Sequence, residues 1–178
     1  MIRKTFFIPL LLTYLIAGET LQQREQTSAT AQLRVGTYLT ASDIDKFIEA
    51  LARDTVSDSK IRVVEVVDKN GVGLYGVYRP KEIAGKANLH QIATTETYYI
   101  LKGHGTLVTG GEIIDGAFAS PTSITIKGTA IKGGVSRRVG PGDVIIIPGY
   151  TAHWWSKLDE DLSYISFRTG PYSEIEIH

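Results

Sequence analysis

The chain contains no cysteine among its 178 residues. That absence excludes disulfides, thiolate metal ligands, a cysteine nucleophile and the lipid-anchored N-terminus of bacterial lipoproteins. Charge of one sign is lacking too: 19 basic residues balance 19 acidic ones, so no electrostatic footprint argues for nucleic acid. No Gly-x-Ser-x-Gly elbow, phosphate-binding loop or dinucleotide fingerprint occurs. Gly103-His104-Gly105 is a turn without the helix that a phosphate loop requires. Asp159, Glu160 and Asp161 form a solvated loop cluster rather than the paired carboxylates of glycoside chemistry.

A long hydrophobic run is missing as well. Phe6 to Ala17 is nearly all apolar but contains Pro9 and falls short of the ~20 residues that cross a bilayer. It follows the basic pair Arg3 and Lys4 and ends at the small residues Ala17 and Gly18, the order of a secretory signal. Residues 1–18 are expected to be a signal peptide, with an uncleaved anchor as the alternative. The domain is accordingly expected to be secreted or periplasmic, with no stable membrane association after cleavage.

What is present reads as one domain of ordinary composition, 43% hydrophobic and 21% charged. Residues 19–33, rich in Gln, Thr, Ser and Ala, read as a linker to a domain over 34–178. One helix is expected over about 42–54: Ser42 as its cap, Asp45 as capping-box partner, and Ile44, Phe47, Ile48 and Leu51 recurring at helical spacing. It should pack on the outside of a sheet. From Ile61 onward the pattern turns to short strands and turns, with Asp68-Lys69-Asn70-Gly71 as a hairpin signal. Strands are expected at Ile61–Val67, Gly73–Tyr78, Thr97–Leu101, Thr106–Thr109, Ser123–Ile126, Gly134–Val139, Val144–Ile147 and Leu162–Arg168. Residues 112–122 read as an excursion loop. One helix and then many short strands argue for an all-β barrel or sandwich spanning about 60–170.

His90, Glu96 and His153 carry the chemistry. Two imidazoles and a carboxylate on short β-rich segments are what a divalent-metal site in a small barrel needs. On one straight strand His90 and Glu96 would stand ~20 Å apart, at about 3.3 Å per residue, and could not share an ion. The chain must turn between them, and Ala93-Thr94-Thr95 is the place. His153 comes from a different strand, past Gly149-Tyr150. Such a set suits Fe(II), Mn(II), Ni(II) or Zn(II). By strand alternation Tyr98 shares the face of Glu96, and Trp155 that of His153. His104 reads as a solvated turn residue, Arg137 and Arg138 as a solvated edge, and His178 as without a role. Arg168 is left open between a carboxylate clamp and solvent.

These residues resemble the cupin superfamily, whose small β-barrels carry two motifs, G-x5-H-x-H-x3–4-E-x6-G and G-x5-P-x-G-x2-H-x3-N. Glu96 and Gly103 match the end of the first; Gly142, Pro148 and His153 match the second in spacing. One histidine of the first motif is replaced, by Ile92 or by Asn88 according to the register. Tyr150 stands where the second motif has glycine and Lys157 where it has asparagine. The resemblance implies a single jelly-roll barrel with the helix outside, a divalent metal on His90, Glu96 and His153, a small-molecule substrate and a homodimer. It implies an enzyme, dioxygenase-like or a Lewis-acid isomerase or lyase, with Tyr98 as proton donor or positioning group. The alternative is a non-enzymatic cupin that binds a small molecule or sugar.

Overall fold

The computed structural model describes residues 35–83 and 85–176. The expected signal peptide and linker, and His178, lie outside the described residues. The described residues from Leu39 onward form one compact unit, which holds every element below. Among the described residues no helix is long and apolar enough to cross a membrane.

The first element is a helix, α1 (Ala41–Ala50), capped by Thr40 rather than Ser42. Thr40 Oγ1 accepts from the Asp43 amide at 3.2 Å while the Asp43 carboxylate accepts from the Thr40 amide at 3.0 Å, a complete capping box two residues before the expected one. The helix also stops earlier than residue 54. Leu51 is already extended, and the Ile48 carbonyl accepts both from the Leu51 amide at 3.3 Å and from Arg53 Nη2 at 2.8 Å, which closes the last turn. This register lays Phe47 and Ile48 on Gly76. A Cβ there would sit 2.8 Å from Phe47 and 2.9 Å from Ile48, so the absent side chain is what lets the helix seat on the sheet.

Thirteen strands follow among the described residues: β1 (Ser57–Glu65), β2 (Asn70–Arg79), β3 (Ala87–His90), β4 (Thr95–Lys102), β5 (Gly105–Thr109), β6 (Glu112–Ile114), β7 (Ala117–Phe118), β8 (Thr125–Gly128), β9 (Ala130–Lys132), β10 (Val135–Val139), β11 (Val144–Ile147), β12 (His153–Leu158) and β13 (Leu162–Pro171). A short helix, α2 (Tyr172–Glu176), closes the set. One sheet runs β1-β2-β13-β4-β11 and the other β10-β5-β12-β3-β8-β7, with β6 and β9 as a separate pair. All pairings are antiparallel and the chain passes repeatedly from one sheet to the other. This is the all-β, cupin-type jelly roll that the strand pattern and motifs imply.

Three details depart from expectation. The segment 112–122 is not simply a loop but contributes β6 and β7. The two histidines lie on β3 and β12, strands too short or too polar to stand out as apolar runs. α2, a single turn, carries no periodic pattern of its own.

Alternation sorts the large side chains. In β4, Glu96, Tyr98 and Ile100 are buried while Tyr99 is 43% exposed; in β12, His153 and Trp155 are buried. Inward residues of both sheets, among them Tyr98, Leu107, Trp155 and Tyr164, form the core. Gly103, with φ +83°, sits where a Cβ would fall 2.1 Å from the Asp161 carbonyl, which explains that motif glycine physically. Tyr150 adopts φ +59° where the motif has glycine, so the turn is kept at a conformational cost. Tyr150 is 64% exposed and has little packing to lose. Tyr150→Gly is therefore expected to stabilise the protein by up to ~1 kcal/mol, read as a raised urea midpoint.

Candidate metal centre

His90 is the last residue of β3 and Glu96 the second of β4, and these strands belong to opposite sheets. The four residues between them, 91–94, carry the chain across the barrel, so the turn the spacing demands is a crossover rather than a hairpin. His153 opens β12, beside β3 in the same sheet, directly opposite Asn88. Ile92 lies past the end of β3, in the crossover, with its carbonyl accepting from the Tyr150 amide at 3.2 Å. Asn88 shares the His90 strand and face, so it is Asn88 that stands in place of the missing histidine. Its amide group instead donates to the Lys86 carbonyl at 3.0 Å.

One ligand atom from each of His90, Glu96 and His153 lies within 4.8 Å of the others. His90 Nε2 is 3.9 Å from Glu96 Oε1, and His153 Nε2 is 3.8 Å from Glu96 Oε2. Ligand atoms about 2.0–2.2 Å from one ion at tetrahedral or octahedral angles stand about 3.0–3.5 Å apart. A modest inward movement of the side chains would close the set.

Protonation also fits an ion. His153 Nδ1 is 3.0 Å from the Thr151 carbonyl, which can only accept, so Nδ1 carries the proton and Nε2 presents its lone pair inward. His90 Nδ1 pairs with Thr125 Oγ1 at 2.9 Å and leaves Nε2 on the side of Glu96. Burial alone would raise the pKa of Glu96. With both imidazoles protonated, the charges on His153, Arg168 and His90 and a hydrogen bond from Tyr98 outweigh it and bring the value from 4.5 down to about 2; a bound cation in place of the two Nε2 protons would act in the same direction. Two imidazoles with inward Nε2 atoms and an ionised carboxylate are a donor set for a divalent transition metal.

Glu96 is held from both sides. Tyr98 Oη donates to Oε2 at 2.6 Å, and burial, then the Glu96 charge, raises the phenol well above its usual 10, so it stays protonated. Arg168 Nε lies 3.3 Å from Oε1 without the alignment of a hydrogen bond, so that contact is one of charge. The Arg168 guanidinium donates through Nη2 to Asp58 and stacks 3.8 Å from the Tyr75 ring centroid. Arg168 thus clamps carboxylates. Alternation along β13 gave no signal of this, because both faces of the strand are buried from Leu162 to Ser166. Asp58, Thr125 and the Thr151 carbonyl carried none, because their roles exist only through cross-strand neighbours.

His104 meets Glu160 at 2.7 Å on the surface, far in role from the triad, and Arg138 pairs with Asp159 on the edge strand β10. His90 is 24% exposed against 6% for His153, so the centre faces solvent on the His90 side.

No protein-family model matches the chain, and no curated protein matches it in sequence. Among solved structures it is similar to KdgF from a Halomonas species, 15% identical, covering 77% of this chain and 94% of that one with a TM-score of 0.48. It is similar to the DMSP lyase DddQ from Ruegeria pomeroyi DSS-3, 17% identical, over 92% of this chain and 77% of that one, also at 0.48. An RmlC-like cupin family protein with a double-stranded β-helix fold from Methanocaldococcus jannaschii is 12% identical over 71% and 92% of the two chains, at 0.39. At these identities the fold and the centre rest on the chain's own topology and atoms.

Removing a ligand and removing its support should differ in size. His153→Ala is expected to abolish divalent-metal uptake measured by elemental analysis. Thr125→Val, which leaves the His90 imidazole but takes away its outer partner, is expected to weaken affinity about 10–100-fold in a calorimetric titration.

Proposed function

We propose that the chain is a metal-dependent cupin enzyme that acts on a small organic molecule at His90, Glu96 and His153. The observation that carries this reading is the convergence of these three side chains, with both Nε2 atoms turned to the Glu96 carboxylate and His90 partly exposed. Fe, Mn, Ni or Zn would suit the donors. A divalent ion there would supply Lewis acidity to two oxygens of an enolisable or dicarbonyl-type substrate, or, as Fe(II), would activate O₂. The chain's own residues do the rest: Tyr98 fixes the carboxylate and is the candidate proton donor, and Trp155, Tyr164 and Leu107 close the interior to water beneath it. The basic and then apolar start of the chain supports a secreted or periplasmic location.

One observation favours a second reading, a non-enzymatic barrel that binds a small molecule. Asn88, bonded to backbone, occupies the place of a fourth ligand opposite His153. Elemental analysis of the purified protein separates the two. Near-stoichiometric metal, with oxygen uptake or substrate loss on a panel of diketones and catechols that disappears in His153→Ala, is the expected result. A fully folded protein that takes up no added Fe, Mn, Ni or Zn would overturn the enzyme reading.

A homodimer is part of the proposal. Tyr99, Val144 and Ile146, on the outer face of β4 and the edge strand β11, are 43%, 61% and 67% exposed, and Tyr99 pairs directly with Val144. An apolar face continuous with an unpaired strand edge fits a second copy of the same chain. Ile146→Lys is expected to convert dimer to monomer in light scattering after size exclusion; an unchanged mass would place the contact elsewhere.

A further inference from the structure

The three candidate ligands depend on one short piece of backbone. His90 and Glu96 lie on either side of the crossover 91–94. The turn that leads into His153 is tied to the same segment, because the Tyr150 amide donates to the Ile92 carbonyl at 3.2 Å. Contact there is close: a Cβ on Gly149 would fall 2.6 Å from the Ile92 carbonyl oxygen and 2.7 Å from that of Ala93. A displacement of the crossover therefore disturbs the backbone that carries all three side chains. Its start is held by the sheet, the Gln91 amide donating to the Ile124 carbonyl at 2.8 Å.

The far half is held by a side chain from the other end of the domain. The Ala93 amide donates to Glu174 Oε2 at 3.1 Å, and Thr94 Oγ1 donates to the same oxygen at 3.2 Å. Thr94 is 4% exposed and backed by β13, where a Cβ on Gly170 would come within 2.9 Å of it. Glu174 sits on α2, a single turn with no helical stability of its own, so its place is fixed by how α2 is anchored. The Tyr172 amide donates to the Lys69 carbonyl at 2.8 Å, Tyr75 Oη donates to the Ile175 carbonyl at 2.8 Å, and Ile175 is fully buried. Bare backbone makes the seat: a Cβ on Gly73 would lie 2.7 Å from Ile175, and one on Gly71 3.0 Å from Tyr172.

The spacing of the centre gives this clamp a task. The Nε2 atoms of His90 and His153 stand 3.9 and 3.8 Å from the Glu96 oxygens, wider than the about 3.0–3.5 Å between ligand atoms on one ion. Small shifts of the backbone beneath the ligands decide how well the set closes, and metal affinity follows that geometry closely. Resting on the metal-site reading, we infer that Glu174 is a positioning residue for the centre. Without touching the ion, it sets the backbone path between His90 and Glu96, and through it the affinity and coordination geometry of the metal. Both bonds end on one oxygen, so the acceptor rather than the charge is what the crossover requires, and a glutamine in the same place should serve.

The test titrates Co(II) calorimetrically into EDTA-treated protein and records the visible d–d spectrum of each loaded sample, with urea unfolding of the metal-free forms alongside. Glu174→Ala should weaken Co(II) binding about tenfold and alter the d–d bands. Glu174→Gln should keep both close to wild type. Thr94→Val, which removes one of the two donors, should fall between them and serves if Glu174→Ala does not fold. A lowered urea midpoint with Co(II) affinity and spectrum unchanged would leave Glu174 a packing role only and overturn the inference. Equal losses in the alanine and glutamine variants would overturn it too, because the acceptor would then not be what matters. A wild type that takes up no Co(II) would remove the metal reading and this role with it, whereas wild-type uptake that the variants do not change removes the role alone.

Discussion

A carboxylate kept ionised inside the barrel is the constraint on which the rest of the structure turns. Glu96 is 7% exposed, and burial by itself would favour its neutral form. It stays charged because polar and charged groups from several strands converge on it: the imidazoles of His90 from β3 and His153 from β12, the phenol of Tyr98 from β4 itself and the guanidinium of Arg168 from β13. No two adjacent strands could supply that set. A sheet folded over on itself can, because its two inner faces bring residues remote in sequence to one point.

The crossover between the ligands is itself restrained. Glu174, on α2, accepts from the Ala93 amide at 3.1 Å and from Thr94 Oγ1 at 3.2 Å. Tyr75 Oη donates to the Ile175 carbonyl at 2.8 Å while the Tyr75 ring carries the Arg168 guanidinium. The short C-terminal helix therefore touches the centre by two routes: one fixes the backbone between His90 and Glu96, the other fixes the arginine that faces Glu96. Ordering costs about 1–2 kcal/mol per residue, so a loop that sets ligand spacing gains rigidity when its polar groups are bonded to another element.

How much of this could be read from the chain follows the range of each signal. Turns and apolar strands are local, and Gly103, Val144–Ile147 and Leu162–Arg168 declared themselves through steric need or β-branched runs. The triad was legible because spacing motifs encode strand register, and register is what brings His153 opposite Asn88. The helix cap was misplaced because Thr40-x-x-Asp43 and Ser42-x-x-Asp45 are chemically equivalent until Phe47 and Ile48 must seat on Gly76. Arg168 and Asp58 stayed undetermined for a deeper reason. A charged residue in a strand looks solvated until the facing sheet is known, and no local pattern carries that information.

The charge arrangement links the two halves of the interior. Arg168 draws electron density from the same carboxylate that would hold an ion, and Tyr98 occupies a lone pair on its other oxygen, so Glu96 is a weakened donor. With Asn88 in place of another imidazole, the ion would receive less compensation still. A metal held by so few and such encumbered donors would keep more of its positive character than one in a full ligand set, and would polarise bound oxygens more strongly.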